Sequence, residues 1–192
     1  MTSMFSTALM GLFLLSTVGT TIIPAPTWTK ETPPEAPTYE TYTVGMTGYN
    51  AVPEQTDESP GITASGFPVN PEIDAARSRD LADELPFGTV IELVPNTATS
   101  TRSCELPAVE GSIGYRVITD TMHPRIRNHV DILFDTDTMI HIGGRKLNAA
   151  RAMGWCNDVN IRIVGRIDMA HLPASQKELQ ILLGRSTFAL SK

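Results

Sequence analysis

The chain has 192 residues, of which 41% are hydrophobic, and its formal net charge is −6 at pH 7. This length suits one domain with extensions, and the apolar fraction is enough to form a core. The acidic balance argues against a nucleic-acid-binding protein, because such proteins usually present a basic face.

The N-terminal residues 1–23 are typical of an export segment, because they carry no charged side chain and have an apolar centre at 8–15. They predict a cleaved signal peptide or an uncleaved N-terminal anchor; a misassigned start or a buried segment is the third interpretation. In the first two cases the remainder is exported, to the cell envelope or beyond, and only this segment contacts the membrane. The proline-rich residues 24–41 predict an extended linker.

From residue 42 onward, short alternating segments predict a β-rich domain over 42–168. The predicted strands are, in chain order, 41–50, a brief extended segment at 62–66, then 89–94, 113–119, 130–134 and 159–167. Residues 74–83 predict a helical turn or coil, 146–154 the best helix, and the C-terminal extension 169–192 a short helix at 175–183. The fold class is therefore mainly β: a small closed barrel of about six strands with one or two short helices.

Two aspartates in the second half of this domain, Asp120 and Asp131, are the most informative residues of the chain. Both lie at predicted strands, and a polar, basic loop separates them. Two carboxylates brought together in one cleft suit acid–base chemistry on a neutral polar substrate such as a sugar. The alternative is that either acid merely caps the loop or pairs with one of its arginines.

Cys104 and Cys156 form the cysteine pair of the chain. In an exported protein an even cysteine count permits a disulfide, and the alternative is two unpaired thiols. The four histidines show no spacing typical of a metal site, so neither a metal nor another cofactor is expected.

Several short motifs follow one another along the domain: GYN, TASG, SRDLADELPFGT, YRVITDTM, NHVDILF, AARAMGW and VNIRIV, between residues 48 and 164. In order and spacing they resemble the 3D (Asp-Asp-Asp) domain family and the MltA-type lytic transglycosylases. The resemblance implies a six-stranded double-psi β-barrel, a fold shared with RlpA-like proteins and expansin-like modules. The chain departs from the family in the loop after Asp120, in an insertion at 135–145 and in the position of Asp80.

The resemblance also implies an activity: a lytic transglycosylase that cleaves peptidoglycan glycan strands between N-acetylmuramic acid and N-acetylglucosamine. Asp131 would be the single general acid and base, Asp120 its partner, and Asp80 the candidate for a third acid. Asp131 must then hold a proton, so its pKa must rise above the usual ~3.9 through apolar neighbours and the charge of Asp120.

Polar side chains near the acids are the expected substrate ligands, and we expect a monomer whose partner is the glycan. Two alternatives stay open: a non-catalytic, expansin-like polysaccharide-binding module, and a glycan hydrolase in which Asp120 or Asp80 activates water. Trp155 follows the predicted helix, and the sequence favours a core position for it over sugar stacking. The expected substrate ligands are Tyr49, Thr63, Ser65, Arg125 and Asn128.

Overall fold

The computed structural model describes residues 39–56, 59–94 and 104–189. The predicted export segment and most of the predicted linker lie outside these ranges. No helix in the described ranges is both long and apolar enough to cross a membrane.

Six strands close into a barrel, which confirms the predicted mainly β fold. They are β1 (Thr41–Tyr49), β2 (Asp74–Arg77), β3 (Thr89–Leu93), β4 (Arg116–Thr121), β5 (His129–Leu133) and β8 (Cys156–Arg166). Two further strands, β6 (Met139–Ile142) and β7 (Arg145–Asn148), form a separate antiparallel hairpin that begins in the predicted insertion and extends beyond it.

The barrel is a mixed sheet with the ring order β1–β5–β2–β4–β3–β8. Strands β1 and β5 are parallel, as are β2 and β4, whereas the remaining neighbours are antiparallel. Exchanging the first three barrel strands with the last three leaves the ring order unchanged and keeps each neighbouring pair parallel or antiparallel as before. This internal two-fold topology is the one expected for a double-psi barrel.

The barrel interior is filled by the inward-facing apolar residues of the strands. Along β5, for example, Val130 and Ile132 are fully buried in the main core cluster, while the residues between and beside them face outward. Each such side chain, when fully buried, contributes roughly 1.5–3 kcal/mol to folding. Other members of this cluster are Val44, Met46, Ala75, Ile91, Ile118 and Ile161.

Three local predictions were wrong. Residues 62–66, predicted as a brief extended segment, form a turn with one isolated β-bridge from Ile62 to Pro68 and are not a barrel strand. Strand β2 lies within 74–83, where a helical turn or coil was predicted; only Arg79–Leu81 forms a short 3₁₀ turn. All four residues of β2 are buried and paired with β4 and β5, so tertiary pairing overrides weak local propensity.

The predicted helix at 146–154 is half strand and half helix. Residues Arg145–Asn148 form β7, and the helix α2 covers only Ala149–Met153. The side chain of Asn148 accepts hydrogen bonds from the backbone N–H groups of Ala150 and Arg151, which starts the helix at residue 149.

The C-terminal extension packs onto the barrel through a longer helix than predicted. After a four-residue helix α1 (Leu106–Val109) and α2, the third helix α3 spans Gln176–Ala189. Leu179 on α3 is fully buried in a second core cluster with Ile73, Val90 and Val117. The extension is therefore part of the folded domain.

Cys104 and Cys156 are joined by a disulfide, with their Cα atoms 5.1 Å apart. The bond ties the segment before α1 to the first residue of β8, and Cys104 also forms an isolated β-bridge with Gly154. Closing a loop of this length stabilises a fold by about 4 kcal/mol in the chain-entropy model.

Candidate active site

Asp120 and Asp131 lie on the same outer face of the barrel, on either side of Ala76. In the strand register, Ala76 of β2 is paired with Asp131 of β5 and with Asp120 of β4. On the other side of Asp131, its partner on β1 is Thr47. The two acids are thus two strand spacings apart, about 9.6 Å between Cα atoms, and only a methyl group stands between them.

A β-bulge in β4 turns Asp120 outward. Ala75 is paired with Ile118, but the next residue, Ala76, is paired with Asp120, so Thr119 is the extra residue. Ile118 points into the main core, and regular alternation would send Asp120 to the same side. Bulges are common beside active sites because they re-aim a side chain in this way.

Both acids line one open cleft of about 600 Å³. Its floor is the barrel face around Ala76, one wall is the segment between β1 and β2, and the other is the β4–β5 loop. Two residues of this floor, Tyr49 and Ala76, pack with Leu133 in a small apolar cluster. The remaining wall residues include Gln55, Ile62, Thr63, Ala64, Arg79, Met122, His123, Pro124 and Ile126.

Asp131 is suited to hold a proton near neutral pH. Burial raises the pKa of Asp131 to about 7; a hydrogen bond from Thr47 opposes this shift, and the charge of Asp120 adds to it. The Thr47 hydroxyl lies 2.8 Å from the Asp131 Oδ1 atom. A group with such a pKa can give up and take back a proton at neutral pH.

Asp120 is held in one orientation by backbone donors. Its Oδ1 atom accepts hydrogen bonds from the N–H groups of Ala64 and Thr121, each at 2.8 Å. Its Oδ2 atom accepts a longer bond of 3.3 Å from the Tyr49 hydroxyl. Burial and the charges of Asp120, Asp131 and Asp74 raise the pKa of Tyr49, so its phenol remains a donor.

A buried histidine, His129, is hydrogen-bonded to Thr47, the residue that donates to Asp131. The His129 Nε2 atom lies 3.1 Å from the Thr47 hydroxyl oxygen, and burial lowers the pKa of His129 to about 4. Since the single Thr47 proton is directed to Asp131, the neutral imidazole must donate its Nε2–H to Thr47. His129, Thr47 and Asp131 therefore form one hydrogen-bonded series.

The predicted substrate ligands are only partly gathered at the cleft. Tyr49 and Thr63 line it, and the Ser65 hydroxyl lies behind Thr63, 2.9 Å from its Oγ1 atom. Arg125 is exposed on the β4–β5 loop and is not part of the cleft lining. Asn128 has a left-handed backbone (φ 47°), and its amide donates to the Thr43 carbonyl, which is a turn role.

Asp80, the candidate third acid, also lies outside the cleft lining. Its carboxylate accepts a hydrogen bond from the Asn128 backbone N–H at 3.0 Å. Slight burial opposes the shift, but hydrogen bonds from Ser78 and Asn128 lower the pKa of Asp80 overall. The residue holds the start of β5 against the turn after β2.

The sequence did not single out two features of this surface, and its expectation for a third was wrong. Arg79 lines the cleft and is exposed, so it is the cleft cation in place of Arg125. The supporting pair Thr47 and His129 gave no motif, because their contact with Asp131 depends on strand register. Trp155, expected in the core, is 49% exposed.

The fold and the site together define a small, closed six-stranded β-barrel with an acid-lined surface cleft. Among the described residues, no three His, Cys, Asp or Glu side chains converge in a group that could hold a metal ion. The sequence matches no protein-family model, and no curated protein is significantly similar to it.

Proposed function

We propose that the protein is a peptidoglycan lytic transglycosylase with Asp131 as its general acid and base. The observation that carries the proposal is the pairing of two carboxyl groups across Ala76 in one open cleft. One of them is half-buried with a pKa near 7, and the other is held by backbone N–H groups. The motif resemblance described above supplies the substrate class.

The proposed reaction begins with protonated Asp131. Its proton passes to the glycosidic oxygen between N-acetylmuramic acid and N-acetylglucosamine, and the bond from that oxygen to the muramyl C1 atom breaks. The muramyl ring then carries oxocarbenium-like positive charge. Its own C6 hydroxyl closes onto C1 and gives its proton to the Asp131 carboxylate, so a 1,6-anhydro end forms and no water is consumed.

Asp120 would act through its charge in this scheme. Two backbone N–H groups fix one of its oxygens, which leaves the carboxylate correctly oriented before substrate binds. From across Ala76 it favours the protonated form of Asp131 before the reaction. The same charge would stabilise the positive sugar ring once the bond has broken.

A hydrolase is the second candidate, and one observation favours it. Asp120 lies in the same cleft as Asp131, and backbone donors hold its carboxylate in one orientation. Inverting glycosidases use a second carboxylate to activate a water. In that case Asp120 would activate the water. The two reactions leave different chain ends and are therefore easily separated.

The decisive experiment is digestion of purified bacterial glycan strands followed by mass spectrometry of the released fragments. We expect fragments with 1,6-anhydro ends. The Asp131→Asn variant should lose at least about 100-fold in rate, because it removes the group that transfers the proton. The matched control is Asp137→Asn, the same change at an exposed acid outside the cleft lining, and it should retain wild-type activity.

Fragments with reducing ends instead of anhydro ends would show that the protein is a hydrolase and not a transglycosylase. Absence of any fragment from the folded wild-type chain would favour a polysaccharide-binding module. Full activity of Asp131→Asn would show that another group transfers the proton.

A further inference from the structure

We propose that Trp155 is the stacking platform of a sugar-binding subsite on the same barrel face as the acid cleft, which deepens the proposed function and rests on its glycan substrate. Three observations carry this inference: the exposed indole, its fixed orientation, and its ring contact with His129, which is hydrogen-bonded through Thr47 to Asp131. None of these depends on which reaction the acids perform.

The indole is presented to solvent in a fixed orientation. Its ring packs on the His129 imidazole, with the two centroids 4.2 Å apart and the planes tilted by 37°. Its Nε1–H donates to the Asn157 Oδ1 atom at 3.1 Å. Because one ring face is covered and about half of the residue is exposed, the outer face is open for a ligand.

The backbone beneath the ring is held on both sides of Trp155. Gly154 forms an isolated β-bridge with Cys104, and Cys156 is joined to Cys104 by the disulfide. The His129 ring below lies across Gly45, and a Cβ atom at that position would come within 2.2 Å of the His129 Nδ1 atom. A platform prepared in this way loses little conformational entropy when a ligand binds.

Trp155 lies outside the cleft lining, but side-chain contacts connect it to Asp131. His129 contacts Trp155 on one side and, through Thr47, the Asp131 carboxyl on the other. These contacts place the indole on the order of 10 Å from the Asp131 carboxyl. A glycan strand lying across Asp131 extends beyond the reacting bond, so a neighbouring sugar ring would reach the indole.

The chemistry of the platform suits a sugar better than a protein partner. A pyranose ring presents a face of C–H groups, which pack well on an aromatic face, while its hydroxyls remain hydrated at the edge. Protein-binding surfaces instead tend to be broad apolar patches. The other large apolar side chains exposed in the described part of the chain, Ile62, Met139 and Ile181, are all aliphatic.

Tryptophan fluorescence provides a direct test, because the chain contains only two tryptophans. In the full chain carrying Trp28→Phe and Asp131→Asn, Trp155 is the sole tryptophan and the glycan is not consumed. Titration with soluble, uncrosslinked glycan strands should shift its emission to shorter wavelength and protect it from iodide quenching.

The affinity of the same strands, measured by calorimetry in the Asp131→Asn chain, gives the second reading. Trp155→Ala should weaken binding by about 3–10-fold, which is the usual contribution of one aromatic contact. Trp155→Phe keeps an aromatic ring at this position and should retain most of the affinity. This result would show that Trp155→Ala binds more weakly because the ring is lost. Ile181→Ala, which removes an exposed apolar side chain from α3, should bind like the parent chain.

The subsite is refuted if the strands bind without any change in Trp155 fluorescence, if Trp155→Ala binds as tightly as Ile181→Ala, or if no glycan binds. The lytic activity is judged separately, from the fragments released by the chain with Asp131 intact. Trp155-dependent binding without fragments would keep the subsite and discard the transglycosylase.

Discussion

The protonation state of Asp131 is a balance between two neighbours with opposite effects. The hydrogen bond from Thr47 favours the carboxylate, whereas burial and the charge of Asp120 favour the acid. An acid that starts the reaction must be protonated, so kcat/KM should fall as the pH rises past about 7.

Changing either neighbour should move this falling limb in a known direction. Thr47→Val removes the bond that lowers the pKa of Asp131, so the limb should move to higher pH. Asp120→Asn removes the charge that raises this pKa, so the limb should move to lower pH. The measurement is kcat/KM for glycan cleavage from pH 4.5 to 9.

The two variants serve as controls for each other, because a general loss of structure would not produce opposite shifts. If both variants move the falling limb in the same direction, or neither moves it, Asp131 is not the group whose ionisation lowers kcat/KM.

At the scale of the secondary-structure elements, short strands position the two acidic side chains, Asp120 and Asp131. Strand β2 places Ala76 between the two acids, and the bulge in β4 brings Asp120 out to the same face. Neither element could support the site alone, since β2 has four residues and depends on pairing with both neighbours. The site is therefore sensitive to anything that disturbs this part of the sheet.

The helix α3 should be needed for full stability. Leu179 is fully buried against Ile73, Val90 and Val117, so Leu179→Ala should lower the free energy of unfolding by about 2–4 kcal/mol through lost contacts and a cavity. Urea unfolding measures this directly. Ile181→Ala, an exposed position on the same helix, should change stability by less than about 0.5 kcal/mol.

An equal effect of the two substitutions would mean that α3 is not docked through Leu179. The C-terminal extension would then be an appendage and not part of the folded domain.

For the whole molecule, the raised pKa of Asp131 should reduce stability at neutral pH. The pKa of Asp131 is about 7 in the folded protein, against ~3.9 in an unfolded chain. Below pH ~4 both states hold the proton, so there is no cost. From ~4 to about 7 the unfolded state ionises first and is favoured, and above about 7 the loss of stability is complete.

The Asp131→Asn variant cannot ionise at this position, so its stability relative to wild type should increase between pH 4 and 8. We expect a gain of about 1–2 kcal/mol, less than the ~4 kcal/mol for a full three-unit shift, because solvent in the cleft screens the half-buried carboxyl. Buried Asp74, whose pKa is also raised, is present in both proteins and cancels.

Urea unfolding of both proteins at pH 4, 5.5 and 8 provides the comparison. A stability difference that is constant over this range would mean that Asp131 ionises in the folded protein much as it does in the unfolded chain.

Much of the fold could be predicted because it depends on local order. The alternation in 41–50 and 159–167 and the apolar run at 130–134 mark three barrel strands, since both patterns are visible in the sequence itself. Residues 74–77 were missed because DAAR has no strand propensity of its own and is held by its neighbours.

By itself, the sequence determined the mainly β class and identified Asp120, Asp131 and the cysteine pair as the residues to examine. Only the tertiary structure decided that a bulge at Thr119 brings Asp120 to face the same cleft as Asp131, and that Asp80 and Arg125 lie outside it. It alone placed His129 beneath an exposed Trp155. The physical reason is that alternation and residue type are properties of adjacent positions, whereas register, bulges and ring contacts arise between strands that are distant in the chain.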